Sequence, residues 1–192
     1  TAAQIYPVTG ANASIIVGAA LNEGSGVKPR PDSILTIRGN GAPVQAPMSV
    51  FGSLGLVAGT IDQGGIVRAP LGSIRLGGSV IEAGFQEYRS GGRLVLGDSS
   101  ITSVSAAGLV IPYGGTVDGL KYEYNGRELK LADLLVLEAM GKIEVVSDRF
   151  EAAAGAVLDL SGGGELAGAG FIAGRGGSVD ILRTPLANAN PA

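Results

Sequence analysis

Apolar residues along this chain fall in short alternating bursts rather than in long periodic stretches. One five-residue pattern recurs six times: Gly, a small or basic residue, an aliphatic, any residue, and usually a second aliphatic. The copies are Gly72-Ser73-Ile74-Arg75-Leu76, Gly78-Ser79-Val80-Ile81-Glu82, Gly92-Arg93-Leu94-Val95-Leu96, Gly141-Lys142-Ile143-Glu144-Val145, Gly155-Ala156-Val157-Leu158-Asp159 and Gly177-Ser178-Val179-Asp180-Ile181. The third position is always aliphatic, and the fifth is aliphatic in four copies (Leu76, Leu96, Val145, Ile181). Period-two alternation marks a short strand with one buried side, so each copy predicts a strand entered through a glycine turn. The copies at 72 and 92 start 20 residues apart, and those at 155 and 177 start 22 apart. That spacing predicts a coil of about 20 residues holding two or three short strands.

Such a coil cannot bury its own apolar side and must stack on copies of itself. The predicted fold is therefore all-β, a parallel β-helix (β-solenoid) with glycines supplying left-handed corners. Six to nine coils are expected, rising ~4.8 Å each. The expected inward positions include Ile74, Val80, Leu94, Val157 and Val179. An antiparallel sandwich also has short strands and glycine turns, but sandwiches usually carry Trp or Tyr in the core and more two-residue hairpin signals; this chain has no Trp.

The rhythm breaks between residues 118 and 151, which hold 13 charged residues in 34, against 18 in the other 158. The organisation expected is coils over 1–117, a charged excursion over 118–151, and coils plus a C-terminal tail over 152–192. Within the excursion, Leu120 to Tyr124 and Arg127 to Leu131 alternate around Asn125-Gly126, a strong signal for a hairpin over 120–131. A two-residue turn sets Glu123 opposite Glu128 and Lys121 opposite Lys130, an unfavourable match that the diagonals Glu123 with Lys130 and Lys121 with Glu128 offset. Residues 131–140, closed by Gly141, fit a short helix with a glycine cap or a further strand. In a repetitive rod the excursion is where specificity can differ from scaffold, which makes Tyr122, Tyr124, Asn125 and Arg127 the candidate partner contacts; a hairpin that only shields the solenoid's flank is the plainer alternative.

Composition narrows the chemistry. With 33 glycines, 9 prolines, nine aromatics and no Trp, the core is one of thin layers of Val, Leu, Ile and Ala. No His and no Cys are present, which removes Ser/His and Cys/His catalytic pairs, imidazole and thiolate metal ligands, and disulfides. A net charge of -3 favours neither nucleic acid nor an anionic membrane, and no apolar run is long enough to span a bilayer. The first residues lack the regions of a signal peptide and the last carry no retention or lipidation signal, so the chain reads as one domain cut from a longer protein. Neither catalytic residues nor cofactors are expected.

Three longer phrases resemble the filamentous haemagglutinin family of two-partner-secreted exoproteins, in the C-terminal part of their β-helical region. They are Gly24-Ser25-Gly26-Val27-Lys28-Pro29-Arg30-Pro31-Asp32-Ser33; the run from Ile101 to Thr116 with Asp118-Gly119 and Tyr124-Asn125-Gly126 after it; and Gly155 to Leu166, leading into Gly174 to Leu182. The resemblance implies a right-handed β-helical stalk, exported with the help of an outer-membrane secretion partner and displayed at the bacterial surface or released. It implies roles in adhesion, aggregation or biofilm, with a surface receptor or polysaccharide as partner. It carries over no catalytic residue. The absence of Cys fits, because disulfides formed in an oxidising periplasm obstruct threading through a pore. Residues 134–150 depart from the family's rhythm.

Gly168-Ala169-Gly170-Phe171-Ile172-Ala173 matches a dinucleotide fingerprint in letters only, since glycine runs flank it where a strand and a helix are required. The rival function is a carbohydrate-active β-helix, which uses carboxylates, Ca²⁺ and Arg on one exposed sheet. Its candidates are Asp62, Glu82, Glu87, Asp98, Asp159, Glu165 and Asp180, with Arg68, Arg75, Arg89 and Arg93; solvated outward acids are the plainer reading, because aromatic platforms are scarce between 44 and 112. A third possibility is self-association into fibres through the unpaired strand edges at the ends of a solenoid.

Overall fold

A computed structural model describes residues 2–22, 26–78, 92–117, 121–124, 127–128 and 141–171. Every regular element among them is a strand, and no helix there is long and apolar enough to cross a membrane. In chain order the strands are β1 (Asn12–Ile16), β2 (Ala19–Asn22), β3 (Gly26–Pro29), β4 (Ile34–Arg38), β5 (Ser53–Val57), β6 (Thr60–Gly64), β7 (Ile66–Arg68), β8 (Ser73–Gly77), β9 (Arg93–Leu96), β10 (Ile101–Ser103), β11 (Val110–Val117), β12 (Lys121–Tyr124), β13 (Arg127–Glu128), β14 (Lys142–Val146), β15 (Arg149–Ala152), β16 (Val157–Asp159) and β17 (Glu165–Phe171). The chain divides into two compact units, residues 1–111 with 139–165, and residues 112–138 with 166–192.

The first unit is built on three parallel sheets. The first sheet orders β1-β5-β8-β14, the second β4-β6-β9-β15, and the third β7-β10-β16, with Ile5 bridging to Val67 at its edge. The chain visits them in rotation: β5, β6, β7, then β8, β9, β10, then β14, β15, β16. This arrangement is compatible with a β-solenoid. The step is 20 residues where nothing is inserted, from Ser53 to Ser73. It grows to 33 from Ile61 to Leu94 and to 69 from Ser73 to Lys142. Those insertions, with the β2-β3 hairpin between β1 and β4, are why the sheets hold four strands at most among the described residues where unbroken coils would supply six to nine.

Register sorts the core into columns. In the first sheet Leu54 lies over Ile74, and Leu56 over Leu76; in the second Ile61 lies over Leu94; all are buried. Apolar side chains of this size stabilise by about 1.5–3 kcal/mol each on burial. Ile74 and Leu94 thus face inward as their copies of the pattern predict, while Val80 and Val179 lie outside the described residues. Val157 does not face inward. It pairs with Ile101 on the side away from the core and is 46% exposed. In that copy the strand begins one residue late, behind a turn at Gly155, so Ala156 packs on the core and Leu158 continues the inward column of Val67 and Thr102.

Left-handed glycines stand at turns such as Gly10, Gly18, Gly77, Gly78 and Gly141, as expected, but two turns into the first sheet use other residues. At the turns leading into β5 and β8 of the first sheet the left-handed residues are Phe51 (φ 60°) and Leu71 (φ 50°). The glycine that follows serves close stacking: a Cβ on Gly72 would stand 1.9 Å from the Gly52 carbonyl oxygen. A further copy of the pattern, Gly52-Ser53-Leu54-Gly55-Leu56, lies directly in register with the copy at 72.

The charge-dense stretch 118–151 spans two kinds of structure. Its last part, β14 and β15, lies in the parallel sheets. Its first part contributes to the second unit's sheet, ordered β13-β12-β11-β17, in which β12 runs antiparallel to both β11 and β13. Residues 129–140 lie outside the described residues.

Candidate functional site

The inner sides of the parallel strands are committed to the core, so any chemistry the first unit offers lies on the outer columns. On the first sheet one column runs Asn12, Ser53, Ser73, Lys142, and the next runs Ser14, Gly55, Arg75, Glu144. Because Gly55 has no side chain, a groove of about 270 Å³ opens between them, with hydroxyls at one end and charges at the other. Arg75 Nε donates to Glu144 Oε2 at 3.0 Å, and Lys142 Nζ lies 3.5 Å from the same oxygen. The Arg75 hydrogen bond, more than the charges around it, holds Glu144 below the usual carboxylate range.

The second sheet repeats the device. Arg38 grips Asp62 through Nη1 at 3.1 Å and Nη2 at 2.5 Å. Arg93 grips Glu151 through Nε at 3.0 Å and Nη2 at 2.8 Å. Such forked pairs are geometrically specific, and each arginine lowers its partner's pKa chiefly through the hydrogen bond. Each pair joins neighbouring strands of the sheet, so these charges act as registration pins.

On the third sheet Asp159 accepts from Ser161 N at 3.0 Å, Ser161 Oγ at 2.6 Å and Ser103 Oγ at 3.0 Å. The Ser161 bonds lead in lowering its pKa, and the more distant Arg68 charge adds to them. Fully buried Gln63 donates to the carbonyls of Gly65 (3.2 Å) and Ile101 (3.1 Å) and to Thr102 Oγ1 (3.2 Å), and accepts from Gly65 N at 2.7 Å. A buried amide so satisfied ties the second sheet to the third.

The sequence-derived candidates are therefore dispersed. Asp62, Asp159, Arg75 and Arg93 are each engaged with partners from neighbouring strands, Asp98 lies against Gly155 at a turn, and Glu165 is exposed. Glu82, Glu87, Arg89 and Asp180 lie outside the described residues. Among the described residues no group of three or more carboxylates is placed to hold a metal ion. The hairpin pairs as its turn demands, with Glu123 opposite Glu128 and Tyr124 opposite Arg127. Tyr122 lies opposite Thr116 on the neighbouring strand. Asn125 falls outside the described residues, and for the two tyrosines and Arg127 the backbone register is what is described.

Sequence reasoning missed Arg38, Glu144 and Glu151 as partners of the named charges. No spacing rule reveals them, since partners sit 24, 69 and 58 residues apart; only the register brings them together. No family model matches the chain, and neither a curated protein nor a solved structure matches it.

Proposed function

We propose that this chain is a segment of the stalk of an exported filamentous adhesin, wound as a right-handed β-solenoid that holds a long, stiff rod at the bacterial surface. The observation that supports this reading is the rotation of the chain through three parallel sheets, coil after coil, with apolar columns inside and forked ion pairs outside. That construction resists shear and proteolysis while devoting its side chains to stacking. Partner contact falls to the excursion, through Tyr122, Tyr124, Asn125 and Arg127, and the resemblance adds an outer-membrane secretion partner.

Two measurements test it. The native polypeptide recovered from the cell surface is expected to be many times longer than 192 residues; a product of this length retained inside the cell overturns the reading. Replacing residues 121–131 with a glycine-serine linker in the parent protein is expected to reduce adherence at unchanged melting temperature, and full adherence would place the contact elsewhere.

A polysaccharide-acting module is the second reading, favoured by the hydroxyl-lined groove on the first sheet. A depolymerisation assay on uronate polymers, with and without Ca²⁺, separates the two: turnover supports the module, and none supports the stalk.

A further inference from the structure

Two Asn-Gly dipeptides occur in the chain, Asn40-Gly41 and Asn125-Gly126. Asn125-Gly126 lies outside the described residues. Asn40-Gly41 follows β4 in a stretch, 38–46, that is exposed throughout. Asn40 Oδ1 accepts from Ala42 N at 3.0 Å, the turn that a short amide side chain makes with its own backbone. That bond turns the side chain toward the residues that follow it, where Gly41 N is the nitrogen that closes a five-membered ring on Cγ.

The Gly41 N–H donates to no group among the described residues, so its proton is open to solvent base. Gly41 has no side chain to shield that nitrogen, and a Cβ built there or on Gly39 would meet nothing within 4 Å, so the backbone has room to pivot. The Ala42 N–H rests on the oxygen that turns into an oxyanion when Cγ is attacked, the position at which a preorganised donor lowers a barrier. Asn12 supplies the contrast. It is followed by Ala13, which packs on the core, and its Oδ1 is held by Ser53 Oγ across the register of β1 and β5.

We propose that Asn40 is a self-modification site, at which the folded chain deamidates through a succinimide. Gly41 N gives up its proton to hydroxide and attacks Cγ; the bond from Cγ to the side-chain nitrogen breaks, and ammonia leaves with a proton from water. Water then opens the imide. Breaking the new Cγ–N bond leaves an aspartate, and breaking the original backbone C–N bond leaves an isoaspartate, whose extra main-chain methylene enters an exposed stretch. The sum is hydrolysis of one amide, with nothing oxidised or reduced. Each converted chain gains a carboxylate two residues from Arg38, the fork that holds Asp62, so an exposed negative charge accumulates with the age of the protein. The inference needs only the turn after β4 and is independent of the stalk reading.

The test incubates the folded chain in mildly alkaline and in mildly acidic buffer and reads tryptic peptides by mass spectrometry, with fragmentation to place the change. Cleavage after Arg38 and Arg68 separates Asn40 from every other asparagine. Peptide 39–68 is expected to gain the mass difference of OH for NH₂, faster in the alkaline buffer, and to accept methyl groups from an isoaspartate-specific methyltransferase, while Asn12 stays unchanged. Asn40→Gln, which would have to close a six-membered ring, should lose the change. Ala42→Pro keeps the dipeptide, removes the N–H from the oxyanion and should slow conversion several-fold; both substitutions fall on exposed residues. An unconverted Asn40, equal conversion at Asn12, equal rates in the two buffers, or undiminished conversion in a folded Ala42→Pro variant would each overturn the proposal.

Discussion

The middle strands and the edge strands of the first unit's parallel sheets are made of the same residue types yet differ in what those residues contribute. The column Ile15, Leu56, Leu76, Val145 makes the point: its members are 37%, 0%, 0% and 37% exposed. Burial here belongs to the neighbour on each side rather than to the side chain, so the stability of the sheet rests on the interfaces between neighbouring strands.

The comparison is sharpest by truncation. Leu76→Ala should cost about 3–4 kcal/mol, since a fully buried leucine leaves a cavity, while Val145→Ala in the same column should cost less than about 1 kcal/mol. Urea unfolding of both variants measures the contrast; equal losses would break it. Corner glycines give the next effect. Gly72→Ala forces a methyl against the Gly52 carbonyl oxygen and should cost about 2–3 kcal/mol through displaced backbone. Gly141→Ala meets open space but keeps a left-handed φ of 71°, a strain of about 1–2 kcal/mol. Melting curves should rank them in that order.

The smallest effect is electrostatic. Glu144 has a folded-state pKa lowered by Arg75, so its contribution is present above the unfolded carboxylate value of ~4.3 and is lost as pH falls through the folded value. Stability should hold between about pH 5 and 8 and decline below ~4. Glu144→Gln should cost about 0.5–1 kcal/mol at neutral pH and flatten the acid limb. An unchanged acid limb in that variant would assign the decline to the other pinned carboxylates, Asp62, Glu151 and Asp159.

Much of this was readable from the pattern at Gly72 and Gly92, because alternating aliphatics and a 20-residue step dictate stacking strands and place Ile74 and Leu94 inside. Val157 was misread because alternation fixes which residues share a side but not which side is inner; that depends on where the strand starts, and a turn at Gly155 delayed it by one. Charge density over 142–151 resembled an excursion because pinning charges sit on outward positions, where composition cannot tell a paired strand from a loop. Ile5 gave no pattern at all, being a lone bridge held by the register of Val67.

The insertions bear on how such a protein changes over generations. The β2-β3 hairpin and residues 79–91 both enter between the first sheet and the second, and the long insertion before β14 enters between the third and the first. In spite of them, Leu94 still lies over Ile61 and Lys142 over Ser73. Closing a longer loop costs only about 0.6 kcal/mol for each doubling of its length, so a corner can accept new sequence while every column keeps its partners. Novelty is admitted at the corners and refused along the strands, which lets the surface diversify on a scaffold that does not have to be reinvented.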